Sequence, residues 1–570
     1  MKKRWVVKEQ PNKLLVNSLA KELGIHAKLA LLLIQRGITS FEEAKHFFRP
    51  SLSDLHPPFE MKDMDKAVLR LEQAIRNNEK ILVYGDYDVD GTTAVALMFS
   101  FLSKVYSNLD YYIPDRYTEG YGISTKGIDF AATHGFSLII ALDCGIKSNE
   151  KINYASSKGV DFIICDHHRQ GEQIPMAAAV LDPKRKDCTY PFKELTGCGI
   201  GFKLIQAFAE RNGIDFSKLH VYLDLVAVSI VADIVPIVGE NRILAHFGLQ
   251  QLNKHPRMGF KAMIELAGFK AEKALTISDV VFIIAPRINA AGRLESGKKA
   301  VDLLLTNTVD EAMLSGKNLN ETNAERKNID KIITEQALEI IGSNAELIER
   351  KTTVVYQKDW HKGVVGIVAS RLTDKYYRPT IVLTESNGMA SGSARSVKNF
   401  DVYNAIEACA DLLEQFGGHK YAAGLSLKLE NLEAFQTKFE EVVRATIDEK
   451  WLTPEIDIDA ELDFTEIDAK FFRILKQFAP FGPENMMPVF ITKNIRDKGY
   501  AKTVGSNHLK FDAQQNGNSE SFPAIAFGLS EHLEPMLNKK TFEICYTLDE
   551  NEWNGQSKLQ LNVKDIRFSS

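Results

Sequence analysis

Along the first third of the chain, short apolar runs alternate with helical segments. The runs are Ile81–Tyr84, Tyr111–Ile113, Leu138–Leu142, Phe162–Cys165 and Ala178–Leu181. Such alternation predicts a parallel sheet with crossover helices. The residues that end the runs carry the chemistry. Gly85 closes the first run, Asp86, Asp88 and Asp90 follow at alternate positions, and Gly91 leads into a helix beginning Thr92-Thr93-Ala94. The third run ends at Asp143, the fourth at Asp166-His167-His168 and the fifth at Asp182-Pro183-Lys184. One such Asp is an ordinary turn residue. Four such ends among five runs predict a site at the C-terminal edge of one sheet, where open α/β sheets bind ligands. Three carboxylates as close as Asp86, Asp88 and Asp90 repel one another unless a cation neutralises them, so divalent metal is the natural partner.

The pattern changes farther on. Residues 1–75 read as helical and amphipathic, broken between Pro50 and Pro58, with no chemistry of their own. Residues 190–306 read as mainly helical. Within them Asp233 ends the apolar run from Leu225 to Ala232, where a carboxylate is costly to bury without a partner; a capping or exposed Asp is the alternative. Residues 308–342 hold few Gly or Pro and read as a long helix connecting two lobes. A second α/β segment follows, with strands Thr353–Tyr356 and Pro379–Thr384 around a helix from about Gly363 to Lys375, then Gly-rich turns and helices. From about Ile456, Asn-Gly turns at 516–517 and 554–555 predict an all-β module. The expected fold class is therefore α/β: a parallel-sheet lobe, a long helix, a smaller α/β lobe and a C-terminal β-barrel. The boundaries read are 1–75, 76–306, 307–345, 346–448 and 452–570.

Composition narrows the partners. The 570 residues carry a net charge of −5, which excludes a uniformly basic nucleic-acid coat protein and requires any nucleic-acid surface to be a local groove. The six cysteines are scattered without a C-x-x-C pair, which predicts buried thiols in a reducing compartment. The N-terminus lacks the apolar run of a signal peptide and no stretch is long enough to span a bilayer, so a soluble cytoplasmic protein is expected.

The motifs Gly85-Asp86-Tyr87-Asp88-Val89-Asp90-Gly91, Asp143-Cys144-Gly145, Asp166-His167-His168-Arg169 and Val231-Ala232-Asp233 together resemble the DHH phosphoesterase family. Ser391-Gly392-Ser393-Ala394-Arg395-Ser396 and Phe416-Gly417-Gly418-His419 resemble its companion DHHA1 domain. The segments Arg287–Leu294, Trp360–Gly366 and Glu552–Gly555 narrow the resemblance, which runs from about residue 30 to the end, to bacterial members that degrade single-stranded DNA from the 5′ end. The resemblance implies two cations, Mn²⁺ or Mg²⁺; mixed carboxylate and imidazole ligands favour Mn²⁺, with Zn²⁺ possible. It implies that Asp143 bridges them, with Asp90, His167 and Asp233 on one ion and Asp88 on the other. Asp86 is a further ligand or lies behind the ligands, and His168 stands beside the scissile phosphate as an orienting or acid–base group. Arg116, Arg287, Arg293, Ser393, Arg395 and His419 are expected to bind the substrate's 5′-phosphate, since guanidinium grips phosphate in a forked geometry.

The C-terminal module resembles an OB-fold, in which Trp553, Phe490, Phe511 and Tyr546 are available to stack on bases or to fill the core. The chain ends soon after it, so an extra partner-binding domain of longer relatives is expected to be absent. The implied activity is hydrolysis of single-stranded DNA 5′→3′ to mononucleotides in recombination and repair, by a monomer working with a single-strand-binding protein and a helicase. A phosphodiesterase of the same family acting on cyclic dinucleotides or very short RNA is the alternative. A non-catalytic scaffold is a third reading, against which every ligand position is occupied.

Overall fold

In the computed structural model the described residues are 2–568, except 271–272, 518 and 554–555 and the side chains of 552–557. They form two units: one of Met1–Leu55, Pro236–Ile243 and Pro454–Ser570, the other of His56–Val235 and Leu244–Thr453.

A strand of the first unit, β1 (Arg4–Val7), opens the chain, and the larger unit follows with β2 (Lys80–Gly85), β3 (Leu109–Tyr112), β4 (Phe136–Leu142), β5 (Asp161–Cys165) and β6 (Ala179–Leu181). These five form an all-parallel sheet in the order β3-β2-β4-β5-β6. Their runs are buried throughout the centre because helices cover both faces, which is why they read as continuous rather than alternating apolar segments. Leu82, Tyr84, Ile139 and Ile164 pack on one face against Ile128, Ala131, Ile152 and Ala155 of two crossover helices. The helices Val89–Leu102 and Gly197–Arg211 lie against the other, where a Cβ on Gly201 would stand only 3.1 Å from Leu142. The chain leaves β2 toward β3 on one side and resumes at β4 on the other. That reversal opens a crevice at the C-terminal ends of β2 and β4.

The expected long helix is Val309–Gly342, 34 residues and about 51 Å. Its Ile333, Ala337 and Ile341 pack with Trp360, Val365 and Val368 under the second sheet. That sheet comprises β7 (Thr353–Tyr356), β8 (Thr380–Ser386), β9 (Met389–Arg395), β10 (Gln415–His419) and β11 (Ala422–Lys428), in the order β10-β11-β9-β8-β7. The Gly-rich segments read as turns are therefore the strands β9 and β10. The glycine at 392 serves close strand approach: a Cβ there would sit 1.9 Å from the Val382 carbonyl oxygen.

The remaining unit corrects the expected helical extension 1–75. Residues 1–55 form no body of their own, and β1 pairs in parallel with β12 (Glu455–Ile458). Leu19, Leu29, Leu32 and Leu33 share one core with Phe464, Phe471, Phe490, Phe511 and Tyr546. That core belongs to a seven-stranded sheet, β13 (Ala460–Glu461), β14 (Phe490–Asp497), β15 (Lys502–Val504), β16 (His508–Gln515), β17 (Ser521–Ala526), β18 (Phe542–Trp553) and β19 (Gln556–Phe568). The order is β13-β14-β18-β19-β17-β16-β15, and a β14–β16 pairing closes it as a barrel. Phe490, Phe511 and Tyr546 are buried, so they fill the core and offer no stacking face. The Trp553 side chain and the Asn554-Gly555 turn lie outside the described residues, whereas Asn516-Gly517 is the expected turn, with Gly517 at φ 82°. All six cysteines are buried and free. Among the described residues no helix is long and apolar enough to cross a membrane.

Candidate metal centre

The turn after β2 is built for close approach. A Cβ on Gly91 would lie 2.4 Å from the Asp86 carbonyl oxygen, so only glycine lets the helix start against the strand end. Asp88 caps that helix, its Oδ1 accepting from the Gly91 N–H at 3.0 Å. Asp90, in the first turn of that helix, is buried and receives three hydrogen bonds: Gly197 N–H at 2.7 Å, Cys198 N–H at 2.8 Å and Ser229 Oγ at 2.7 Å. The N-terminus of the helix Gly197–Arg211 thus faces a carboxylate, its favoured partner. Asp86 is fully buried; its Oδ1 accepts from the Gly122 N–H at 3.4 Å and its Oδ2 has no hydrogen-bond partner among the described residues.

Asp143, directly after β4, stands at φ 60°, and its Oδ1 has no hydrogen-bond partner among the described residues. A Cβ on Gly197 would meet its Cβ at 2.6 Å. His167, after β5, is the hub. Its Nε2 lies 3.2 Å from Asp143 Oδ1, 3.6 Å from Asp233 Oδ2 and 3.8 Å from Asp90 Oδ2. Asp233 caps the C-terminus of the helix Leu223–Ala232. Two triplets have donor atoms mutually within 4.8 Å: Asp90-His167-Asp233 and Asp143-His167-His168. Asp86 and Asp88 fall in neither.

His168 differs from His167 in what holds it. Its Nδ1 lies 2.7 Å from Asp166 Oδ1, and its Nε2 lies 3.2 Å from the Tyr121 hydroxyl. Asp166 also accepts from the backbone N–H groups of Ile146, His167 and His168 at 2.8, 2.8 and 3.1 Å. Burial opposes the charge of both partners, but their pairing outweighs it: Asp166 is lowered to about 2 and His168 raised to about 9. Burial lowers His167 to about 4, the neutral state a ligand needs. Burial, and then the neighbouring carboxylates, raise Asp86, Asp88, Asp143 and Asp233. Buried acids that repel, with unpaired oxygens beside a neutral imidazole, suit a divalent cation.

Three of the expected phosphate-binding arginines form a group: Arg116 feels Asp86 and Asp88, Arg293 feels Asp88, and Arg395 lies close to Arg293. Arg116, after β3, lies 4.1 Å over the Tyr87 ring and donates to the Gly292 carbonyl. Arg293 donates to the Gly363 carbonyl; burial, and then the charges of Arg116, Arg395 and Arg326, lower it to about 10. Arg395 donates to Ser370 Oγ and, like Ser393, borders Gly366. Arg287 is not among them: it turns to the long helix, donating to Asn320 Oδ1 and the Ile283 carbonyl. Nearly two helical turns separate it from Arg293. His419 is two strands from Arg395 in register and stacks on His168, with ring centroids 6.3 Å apart at 13°. Sequence reasoning misses Asp166 as a holder of His168, Tyr121 as its second contact, and Ser229 and the Gly197–Cys198 backbone as holders of Asp90. Asp166 is legible in the Asp-His-His run, whereas the others become neighbours only through the fold.

Family models match in three places: the DHH family N-terminal domain over residues 80–230, the DHHA1 domain over 349–445 and the RecJ OB domain over 458–565. The single-stranded-DNA-specific exonuclease RecJ of Bacillus subtilis (strain 168) is 36% identical over 570 residues, covering 100% of this chain and 71% of that protein. The enzyme of the same description from Escherichia coli (strain K12) is 34% identical over 561 residues, covering 94% and 95%. The crystal structure of Thermus thermophilus RecJ in complex with Mn²⁺ matches with a TM-score of 0.85 at 28% identity, over 100% of this chain and 80% of that one. An exonuclease RecJ bound to manganese matches with a TM-score of 0.60 at 31% identity, over 70% and 98%. By full-length identity, by all three domain matches and by fold, the chain belongs to the RecJ family.

Proposed function

We propose that this protein hydrolyses single-stranded DNA from the 5′ end, one mononucleotide at a time, at a centre that takes two Mn²⁺ or Mg²⁺ ions. The observation that carries this reading is the convergence of Asp90, Asp143 and Asp233 on one nitrogen of His167 within 3.8 Å. Asp90, His167 and Asp233 would hold one ion and Asp88 the other, with Asp143 shared and Asp86 behind Asp88. The bound ions supply Lewis acidity at the phosphate and lower the pKa of the attacking water.

The chain's own residues do the rest. Arg116, Arg293, Ser393 and Arg395 take the terminal 5′-phosphate, which places the next phosphodiester at the carboxylates and sets polarity. His168, kept charged by Asp166, donates from Nε2 to that phosphate and passes its proton to the departing 3′ oxygen. The released piece is a 5′-mononucleotide, and the shortened strand carries a new 5′-phosphate for the same arginines. His419 steadies His168 from the second lobe.

We place the catalytic lobe at 76–306, the connecting helix at 307–345, the 5′-phosphate lobe at 346–448 and the barrel at 452–570, joined by residues 1–55. One chain carries every site residue, so a monomer suffices. A single-strand-binding protein and a helicase that present the strand, and the reducing cytoplasm, fit a repair and recombination enzyme with buried thiols. The test is digestion of a 5′-phosphorylated single strand with Mn²⁺. Mononucleotides should appear, a blunt duplex should resist, and Asp143→Ala should abolish release. An intact strand, unchanged activity in Asp143→Ala, or a preference for cyclic dinucleotides would overturn the proposal.

A further inference from the structure

The C-terminal edge of the first sheet has a charge order. Arg116 follows β3, the carboxylates follow β2 and β4, the two histidines follow β5, and a second group of cations is carried on the loops of the β4–β6 half: Lys147 after β4, Arg169 after β5, and Lys184 and Lys186 after β6. From β3 to β6 the edge spans four strand spacings, about 19 Å. The three loops bearing the second group are packed together. A Cβ on Gly171 would lie 3.8 Å from Lys147 Cγ, and Gln170 Oε1 accepts from the Lys186 N–H at 2.9 Å.

Lys147, Arg169 and Lys186 are exposed and make no ion pair among the described residues, whereas Lys184 lies 3.2 Å from Glu194. Together with Arg116, Arg293 and Arg395, they give the carboxylate cluster cations on both sides. The positive charge of the second group is felt locally: burial, and then His168, Lys147, Arg169 and Lys184, hold His419 below the usual imidazole range. Crowded like charges without counter-ions disfavour the fold, and they attract polyanions.

The geometry points to a distal subsite: Lys147, Arg169 and Lys186, with Lys184, grip the backbone phosphates of the strand on the 3′ side of the scissile bond. This rests on the nuclease reading, which puts the 5′ end at the arginines. A strand anchored there and crossing the carboxylates runs on along the packed loops that follow β4, β5 and β6, which carry these cations. The contact is to phosphate, so it recognises strand length and not base identity.

The test is a length series of 5′-phosphorylated oligothymidylates on the full chain carrying Lys147→Gln and Arg169→Gln together. For a strand of about ten nucleotides, kcat/KM should fall about 100-fold, since each of the two lost charged contacts carries roughly tenfold. The dinucleotide should be cleaved within about twofold of wild type. The slope of log Kd against log salt for the long strand, measured in EDTA, should flatten by about 1–1.5, as expected for two lost single-strand phosphate contacts. An equal loss on the dinucleotide would overturn the assignment, because the cations would then act at the bond itself. No loss on either substrate would overturn it too, leaving a solvated surface. A wild-type protein that cleaves neither substrate would sink the nuclease reading alone, and the salt slope in EDTA would still judge the subsite.

Discussion

At the scale of single residues, the two adjacent histidines show how one motif yields two chemistries. His167 points one nitrogen at three carboxylates and burial keeps it neutral, whereas His168 is fixed by Asp166 and kept charged. Asp166 accepts four hydrogen bonds, from three backbone N–H groups and the His168 ring, so it fixes the loop and orients His168 without touching substrate. Asp166→Asn should therefore lower kcat by about 100-fold, the order of what a positioned general acid contributes. It should also move the alkaline limb of the kcat profile to lower pH, since His168 loses the charge that raises it. A fall in kcat with an unmoved limb would mean Asp166 only shapes the loop. The same pair links folding to pH. His168 is raised from 6.5 to about 9, so its stabilisation is full below pH 6.5 and is lost as pH climbs through 9. Asp166 is lowered from 3.8 to about 2, so its share is present above pH 3.8 and is lost as pH falls toward 2. Urea midpoints in EDTA should drop between pH 7 and 10 for the wild type and stay flatter for Asp166→Asn.

At the scale of elements, most of what positions the centre is legible because strand ends announce themselves. Apolar runs buried on both faces stop at polar turns, and the sequence shows both the run and the stop. What it hides is which distant element packs against the stop. Asp90 is held by the N-terminus of the helix Gly197–Arg211 and by Ser229, more than one hundred residues away, and nothing local marks those partners. Asp233 is ambiguous in sequence for the same reason: an Asp after an apolar helix is often a plain cap. Only the fold puts it 3.6 Å from His167. At the end of its helix the carbonyl dipoles add negative charge, which deepens the demand for a cation. Likewise β9 and β10 read as turns because their glycines signal flexibility in sequence but close packing in the sheet. The Gly197 contact gives a sharp test. A methyl group there must displace Asp143, whose Cβ would be 2.6 Å away, so Gly197→Ala should weaken Mn²⁺ binding about tenfold or more and lose most activity. Gly199→Ala is the control, because its nearest neighbours, Leu195 and Thr196, lie at an ordinary 3.4 Å. Calorimetric Mn²⁺ titration of both variants separates them; equal affinities would show that the helix start does not set Asp143.

At the scale of the whole molecule, one unit is assembled from three stretches that no reading in order could join. Residues 1–55 look like a helical extension because their amphipathic helices have no local partner. Their partner is the barrel, more than four hundred residues on, and β1 escapes notice because four residues with a distant parallel neighbour leave almost no pattern. The third stretch, Pro236–Ile243, is tied in by Arg242. Its guanidinium lies 3.8 Å over the Phe47 ring and donates to the carbonyls of Phe478 at 2.8 Å, Ala479 at 3.0 Å and Phe47 at 3.1 Å. Burial, and then the charge of Arg36, lower it to about 10, so it remains charged at neutral pH. One cation thus binds a segment from each of the three stretches. Arg242→Ala would strand several buried carbonyl groups and remove the ring contact, for a cost of about 3 kcal/mol or more. Because every one of those partners lies in the same unit, the loss should be confined to it. Hydrogen exchange should show protection falling across residues 1–55 and 454–568, and holding across the strands β2 to β6. An even loss through both units would mean that they unfold as one, and Arg242 would then be a tie for the entire chain.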